Sequence, residues 1–217
     1  MALDEALFHW SSATGLAAAR FYHWDTPAVT VGYFHRTAEQ DLPLPAGAVR
    51  RYTGGGLVEH GADLTFVLTL PAGSDAALAA AAARYRWIHE RLATALAGAG
   101  LMTVLEPPGL PRGGGPCFSD PVPWDLRDPR SGVKIGGGAQ RRSRGAVIHQ
   151  GSVRLPEALR DPGAEWIGDF LKGLARSRAP LDAVVRESVT ADALDRESGR
   201  YGSAAWNRPW NSSGKRV

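Results

Sequence analysis

The sequence predicts a mixed α/β domain with a small helical appendage at its C-terminal end, on three observations. Apolar residues alternate along "DLTFVLTLP" (63–71), an apolar stripe recurs at helical spacing through 75–97, and "VKIGGGAQ" (133–140) and "AVIHQGSVRL" (146–155) read as paired strands. The chain has 217 residues, of which 44% are hydrophobic, enough for one domain with a sizeable core. Residues 1–155 form the expected core, 156–210 its helical C-terminal part, and "NSSGKRV" (211–217) an expected disordered tail.

Taken in order, residues 2–10 read as a short helix. "RFYHW" and "AVTVGYF" read as two strands, rich in aromatic and β-branched residues and separated by "DTP". In the next strand Leu64, Phe66, Leu68 and Leu70 share one face until Pro71 stops it, which predicts burial on one side only. Ser74 is placed to cap a single helix over 75–97, with Leu78, Tyr85, Ile88, Leu92 and Leu96 as its stripe and Gly98 and Gly100 at its end. "EPPGLPRGGGPCF" is too rich in proline and glycine for a regular element and reads as a loop ending at Cys117. The basic turn "RRSRG" joins the two strands that follow. "LRDPGAEWIGDFLKGLA" and "PLDAVVRESVTADAL" then read as helices, and "RYGSAAWNRPW" closes the ordered part.

Composition excludes several classes. A single cysteine rules out an internal disulfide and a cysteine-rich metal site, which makes a reducing compartment the expectation. The start "MALDEALFHW" lacks the basic flank and long apolar run of a signal peptide, and no stretch reaches the length of a membrane span, so a cytoplasmic protein is expected. Six histidines form no H-x-x-x-H pair, and no phosphate-loop, dinucleotide or G-x-S-x-G motif is present. Net charge is +3, unevenly spread: residues 109–154 hold eight basic and three acidic side chains. That region is either a solvated face or a docking surface for an acidic partner. Nucleic acid is not the expected partner, since no helix-turn-helix, zinc-finger or RNP pattern accompanies the charge.

Three glycine-rich stretches remain, each beside a distinctive side chain: Arg50 and Arg51 before "TGGG", Cys117 after "RGGGP", and Lys134 before "IGGGA". Glycine runs cost stability unless the backbone needs a close approach or positive φ. The successive blocks "MALDEAL", "PAVTVGYF", "RRYTGGGLVEHGADLTFVLTLP", "VKIGGGAQRR" and "HQGSV", with a weaker echo in "RYGSAAWN", resemble the lipoate-protein ligase A and octanoyltransferase family, related to biotin protein ligases.

The resemblance implies a mixed central sheet flanked by helices and an acyl chain bound beside the glycine-rich strand. It implies that Gly54, Gly55 and Gly56 lie against that chain, where a Cβ would collide. Arg50 and Arg51 would shape the entrance or meet the polar end of the donor, and His60 matches the motif histidine. Thr53, Gly136, Gly137, Ala139 and His149 complete the implied substrate-binding set; His149 is either a proton-transfer helper or a structural histidine. Lys134 would face the acyl carbonyl and stabilise its developing charge, and would depress the pKa of a neighbouring thiol.

Three activities are open on this scaffold. "CFSDPVPWDL" resembles the loop of lipoate-ligase-like octanoyltransferases, which implies Cys117 as nucleophile, no cofactor, and octanoyl transfer from acyl carrier protein to a lysine of a lipoyl domain. The acceptors would be 2-oxoacid dehydrogenases or the glycine cleavage H protein. The alternatives are a lipoate ligase using ATP and Mg to form lipoyl-AMP, and a non-catalytic acyl- or lipoyl-domain-binding protein. Three departures from the family pattern stand out. Gly138 replaces a small hydroxyl residue, "LPRGGGP" is unusually glycine-rich, and the chain opens inside its first motif, as a clipped N-terminus would. The end soon after "RYGSAAWN" sets the expectation that the accessory domain many such ligases carry is missing here, although some ligases place it on a separate chain.

Overall fold

The computed structural model describes residues 1–35, 47–109, 118–119 and 121–207. Cys117 and the expected tail lie outside the described residues. A six-stranded sheet runs in the order β1 (Ala18–Tyr22), β5 (Asp63–Leu70), β9 (Ala146–Arg154), β8 (Lys134–Ser143), β7 (Leu126–Arg127) and β6 (Val104–Leu105). Its neighbouring strands are all antiparallel. The mixture of strand directions resides in a second sheet, where β2 (Ala28–Val31) pairs parallel with β3 (Val49–Arg50) and antiparallel with β4 (Leu57–His60).

Strand β5 is buried along nearly its whole length, not on one face only. Leu64, Phe66 and Leu68 pack with Val153, helix α3 (Ala81–Gly98) and helix α4 (Glu165–Leu174). On the opposite face Val67 joins Phe8 of α1 (Ala2–Thr14), Tyr52, Ile148 and Trp206. The intervening Asp63, Thr65 and Thr69 read as a wet face in the sequence, yet each is buried and hydrogen-bonded.

The helix expected over 75–97 is broken in two. Ser74 caps α2 (Asp75–Leu78) by accepting from Ala77 N at 3.3 Å, and α3 begins again at Ala81. The orphaned carbonyls of Ala76, Ala77 and Ala79 are taken up by Nη1 of the buried Arg84, which makes the break tolerable. Ile88, Leu92 and Leu96 form the buried stripe, while Leu78 stands 60% exposed before the break.

Strands β8 and β9 form the expected hairpin. Its two-residue turn has positive φ at both Arg144 (51°) and Gly145 (86°), the pattern whose twist matches paired strands. Beyond it, α5 (Ala183–Arg196), a π-turn (Glu197–Tyr201) and α6 (Ala204–Asn207) fold back on the N-terminal helix. Buried Glu5 of α1 holds them through Arg196, Arg200 and the Tyr201 hydroxyl.

Candidate functional site

A pocket opens over the face of β8 and β9 that looks toward the small sheet. Its lining includes Arg51, Gly55, His60, Phe118, Lys134, Gly137, Ala139 and Ser152. The strands reach this shape because glycines stand where side chains from neighbouring elements lie flat on the sheet. A Cβ on Gly137 would come within 2.6 Å of Asp125 Oδ1 and 2.8 Å of Lys134 Cε. One on Gly138 would meet His149 Nε2 at 2.5 Å, and one on Gly151 would enter the Phe66 ring.

Lys134 begins β8 and is 92% shielded, its ammonium 2.7 Å from Asp125 Oδ2. The other carboxylate oxygen, Oδ1, accepts from the Tyr85 hydroxyl at 2.5 Å, and that hydroxyl accepts in turn from Gly138 N at 2.8 Å. Strand β7 stops short of Gly138, so the α3 tyrosine takes the place of the missing strand partner. Phe118, the residue covalently next to Cys117, lines the same pocket. Its ring lies 5.9 Å from Lys134 Nζ and is covered by the Arg154 guanidinium at 3.8 Å.

The glycine loop is held from behind by arginine. The guanidinium of buried Arg51 donates to the carbonyls of Gly54 and Gly56 and to Thr30 Oγ1, so Arg51 both lines the pocket and shapes the loop. Arg50, expected at the entrance, is fully buried instead. Its Nη1 donates to the carbonyls of Gly32, Tyr33 and His35, and its own peptide is clasped by Trp206 Nε1 and Asn207 Oδ1. Two arginines in sequence thus serve two separate stretches of backbone.

His60 sits between Thr30 Oγ1 and Asp63 Oδ2, each at 2.8 Å, and stacks on Trp24. Burial alone would raise the Asp63 carboxyl, but hydrogen bonds and charge from His60, with donors from Ser152 and Gly61, hold it down to about 2. Thr53 donates to Gln150, whose amide reaches Asp4 of the opening helix; Thr53 stands behind the pocket wall. Gly54 and Gly136 also lie outside the lining, Gly136 packing on Val153.

His149 faces away from the pocket, stacked on Phe66 5.5 Å from ring centre to ring centre. Burial, then the neighbouring His89 and Arg84, pushes its pKa well below the usual value, so it is a neutral ring packed under the sheet. His89 beside it is likewise brought to about 4 by burial, against the opposing hydrogen bond to Trp124 O. Of the basic turn, Arg141 is spread over the rings of Tyr33 and Tyr52, while Arg142 and Arg144 are exposed.

Sequence reasoning missed Asp125, Tyr85, Asp63, Gln150 and Ser152. The last two have a signal in "HQGSV": alternate residues of that strand face the pocket. Among the described residues, no three His, Cys, Asp or Glu side chains group as metal ligands, and no helix is long and apolar enough to cross a membrane.

The sequence and the fold have counterparts among known proteins. Residues 1–191 match the family described as the lipoyl protein ligase A/B catalytic domain. The octanoyltransferase LipM of Bacillus cereus is 33% identical over 171 residues, covering 71% of this chain and 60% of LipM; the chain therefore spans under two thirds of the curated relatives it matches. Among solved structures, protein Ta0514 of T. acidophilum with bound lipoic acid superposes with a TM-score of 0.68 at 23% identity, covering 95% of this chain and 92% of that one. A lipoate-protein ligase A bound with ATP gives 0.66 at 22% identity, covering 95% and 91%. At these identities the two structures speak to the fold.

Proposed function

Since the chain belongs to the lipoyl protein ligase A/B catalytic-domain family, we propose that it moves an octanoyl group from acyl carrier protein to a lysine of a lipoyl domain through a thioester on Cys117. The observation that carries this reading is the shared lining of the pocket by Lys134 and Phe118. It puts the residue that follows the only cysteine beside the only lysine of the glycine strand. The octanoyltransferase relatives support the same choice of chemistry.

In this mechanism the Cys117 thiolate attacks the carbonyl carbon of the octanoyl thioester. The C–S bond to the carrier breaks, and the carrier leaves as a thiolate that takes up the proton Cys117 lost on ionising. The acceptor amine then attacks the octanoyl-enzyme, forms the amide, loses a proton and releases the Cys117 thiolate. Lys134 donates to the carbonyl oxygen as it gains negative charge in both steps, a role worth most in a site closed to water. The alkyl chain lies along the pocket wall at Ala139 and Gly151, where the β8–β9 floor carries no side chain larger than a methyl group. A thioester is already activated, so no ATP or magnesium is consumed.

The test is intact-mass spectrometry after mixing the protein with octanoyl-carrier protein, first alone and then with a lipoyl domain. An added octanoyl group on the wild-type protein, lost in Cys117→Ser and passed to the lipoyl domain without ATP, is the expected outcome. Modification of the domain only with ATP and free lipoate would replace this reading with the ligase one.

A further inference from the structure

We propose that Asp125 is the positioning residue of this site: it fixes the Lys134 ammonium at the pocket edge and, by neutralising it, confines Lys134 to donating hydrogen bonds to the acyl carbonyl. The inference rests on the octanoyl-transfer reading and deepens it.

The geometry around Asp125 is over-determined. The carboxylate is completely buried and accepts from three directions, Lys134 Nζ and Val122 N on Oδ2 and the Tyr85 hydroxyl on Oδ1. Its backbone is pinned as firmly, with Asp125 N donating to Val122 O and Asp125 O accepting from Glu106 N. The residue before it, Trp124, is held at φ 72°, a conformation a bulky side chain rarely adopts and one that costs about 1–3 kcal/mol. Trp124 is kept there by Glu106 O on its N–H, by His89 Nδ1 on its carbonyl and by the Arg86 guanidinium 4.7 Å over its ring. Strain of this kind survives only where the surroundings enforce it, and here it delivers one carboxylate to one ammonium. Bare Gly137 completes the arrangement, since a Cβ there would strike both partners.

The consequence for chemistry is a matter of charge. A lone ammonium beside a thiol would favour thiolate, but an ammonium 2.7 Å from a carboxylate presents nearly zero net charge to anything farther away. What survives neutralisation is direction. Lys134 has three N–H donors, one of them spent on Asp125, and Asp125 sets where the other two point. Lys134 therefore acts on the acyl oxygen at hydrogen-bond range and contributes little to ionising the thiol.

Two measurements on Asp125→Asn, Asp125→Glu, Tyr85→Phe and Lys134→Ala test this. The first is steady-state transfer with octanoyl-carrier protein; the second is the pH dependence of Cys117 alkylation by iodoacetamide. Asp125→Asn should lower kcat by about 10- to 100-fold with KM within about twofold, the signature of a misplaced group that acts on the reacting atoms. Asp125→Glu should recover most of that loss. Tyr85→Phe, which keeps the carboxylate and removes one anchor, should lower kcat by roughly 3- to 10-fold.

The alkylation midpoint separates position from charge. It should stay or fall in Asp125→Asn, where a cation is unmasked, and rise in Lys134→Ala, where a buried anion is left alone. A kcat unchanged in Asp125→Asn or Tyr85→Phe, a loss confined to KM, or an alkylation midpoint that rises in Asp125→Asn would each overturn the proposal. Wild-type protein that transfers no octanoyl group takes the functional reading down first, and this inference with it.

Discussion

The glycine runs at 54–56 and 136–138 look alike in sequence, but Gly55 of the first and the whole of the second are constrained for opposite reasons. In the first, backbone meets backbone: a Cβ on Gly32, outside the run, would lie 1.8 Å from the Gly55 carbonyl oxygen, and Gly55 itself holds φ 92°. In the second, side chains lie on a regular strand, Val153 at Gly136, Asp125 and the strand's own Lys134 at Gly137, and His149 at Gly138. The first run is a crossing of two loops clasped by Arg51, and it is a feature of the fold. The second is a bare floor that lets a charged pair lie on one side and an imidazole on the other, and it is a feature of the site.

Breaking the crossing should have the largest effect. Gly32→Ala pushes a methyl group into a backbone atom that cannot swing away, so either β2 or the glycine loop must shift. A loss of about 4 kcal/mol or more is expected, at the upper end of what single substitutions do. Urea denaturation followed by tryptophan fluorescence would measure it. A Gly32→Ala protein as stable as wild type would mean that the loops do not cross as described.

The second run sharpens the comparison through pH, because the space above Gly138 is filled by an imidazole that is neutral. His89 is brought down to about 4 by burial and His149 is shifted the same way. In the unfolded chain both titrate near 6.5. As pH falls from there toward 4 the unfolded state binds protons that the folded state refuses, so stability is lost with falling pH across this window. For His89 alone the full loss is about 3 kcal/mol. Asp63, held at about 2, acts lower: its contribution is present above its usual 3.8 and disappears as pH falls through 2. Unfolding free energies at pH 7, 5.5 and 4.5 should therefore decline well before the carboxylates titrate. His89→Asn keeps a donor for Trp124 O and removes the titration, so it should flatten the slope; a wild-type curve already flat over this range would contradict the buried neutral pair.

The same two runs show what the sequence carried and what it hid. The β8–β9 hairpin was legible because its apolar pattern and the "RRSRG" turn are local. Lys134, Gly137, Ala139, His60 and Arg51 were legible through the resemblance, and all five line the pocket. Three features were not. The double burial of β5 depends on Ser152 and Trp24, both far along the chain, joining nearby His60 to satisfy its polar side chains. The break before α3 depends on Arg84 turning back to collect three carbonyls, which no helix periodicity records. Asp125 sits in a proline-rich loop where a carboxylate reads as solvent-facing, and Tyr85 counts equally well toward an apolar stripe. Arg50 misled in the other direction, since an arginine beside a glycine run reads as a ligand contact when its partners are carbonyls.

The smallest effect belongs to Gly54, and it decides whether the first run is glycine throughout for one reason. The resemblance implies that a Cβ at any of its three positions would collide with the acyl chain. Yet a Cβ on Gly54 meets nothing within 4 Å, and Gly54 is absent from both the positive-φ positions and the pocket lining, whereas its neighbour Gly55 belongs to both. Its carbonyl still accepts from Arg51 whatever side chain it carries. Gly54→Ala should therefore raise stability by about 0.4–1 kcal/mol, by narrowing the unfolded ensemble without straining the folded loop. It should also leave kcat and KM for octanoyl transfer within about twofold of wild type, since a substituted side chain that touches nothing alters no contact. Thermal unfolding and the transfer assay on the same preparation measure both. A stabilised protein with a raised KM would extend the acyl path to Gly54; a destabilised one would show that the loop tolerates no side chain there, and that the crossing at Gly55 constrains its neighbour as well.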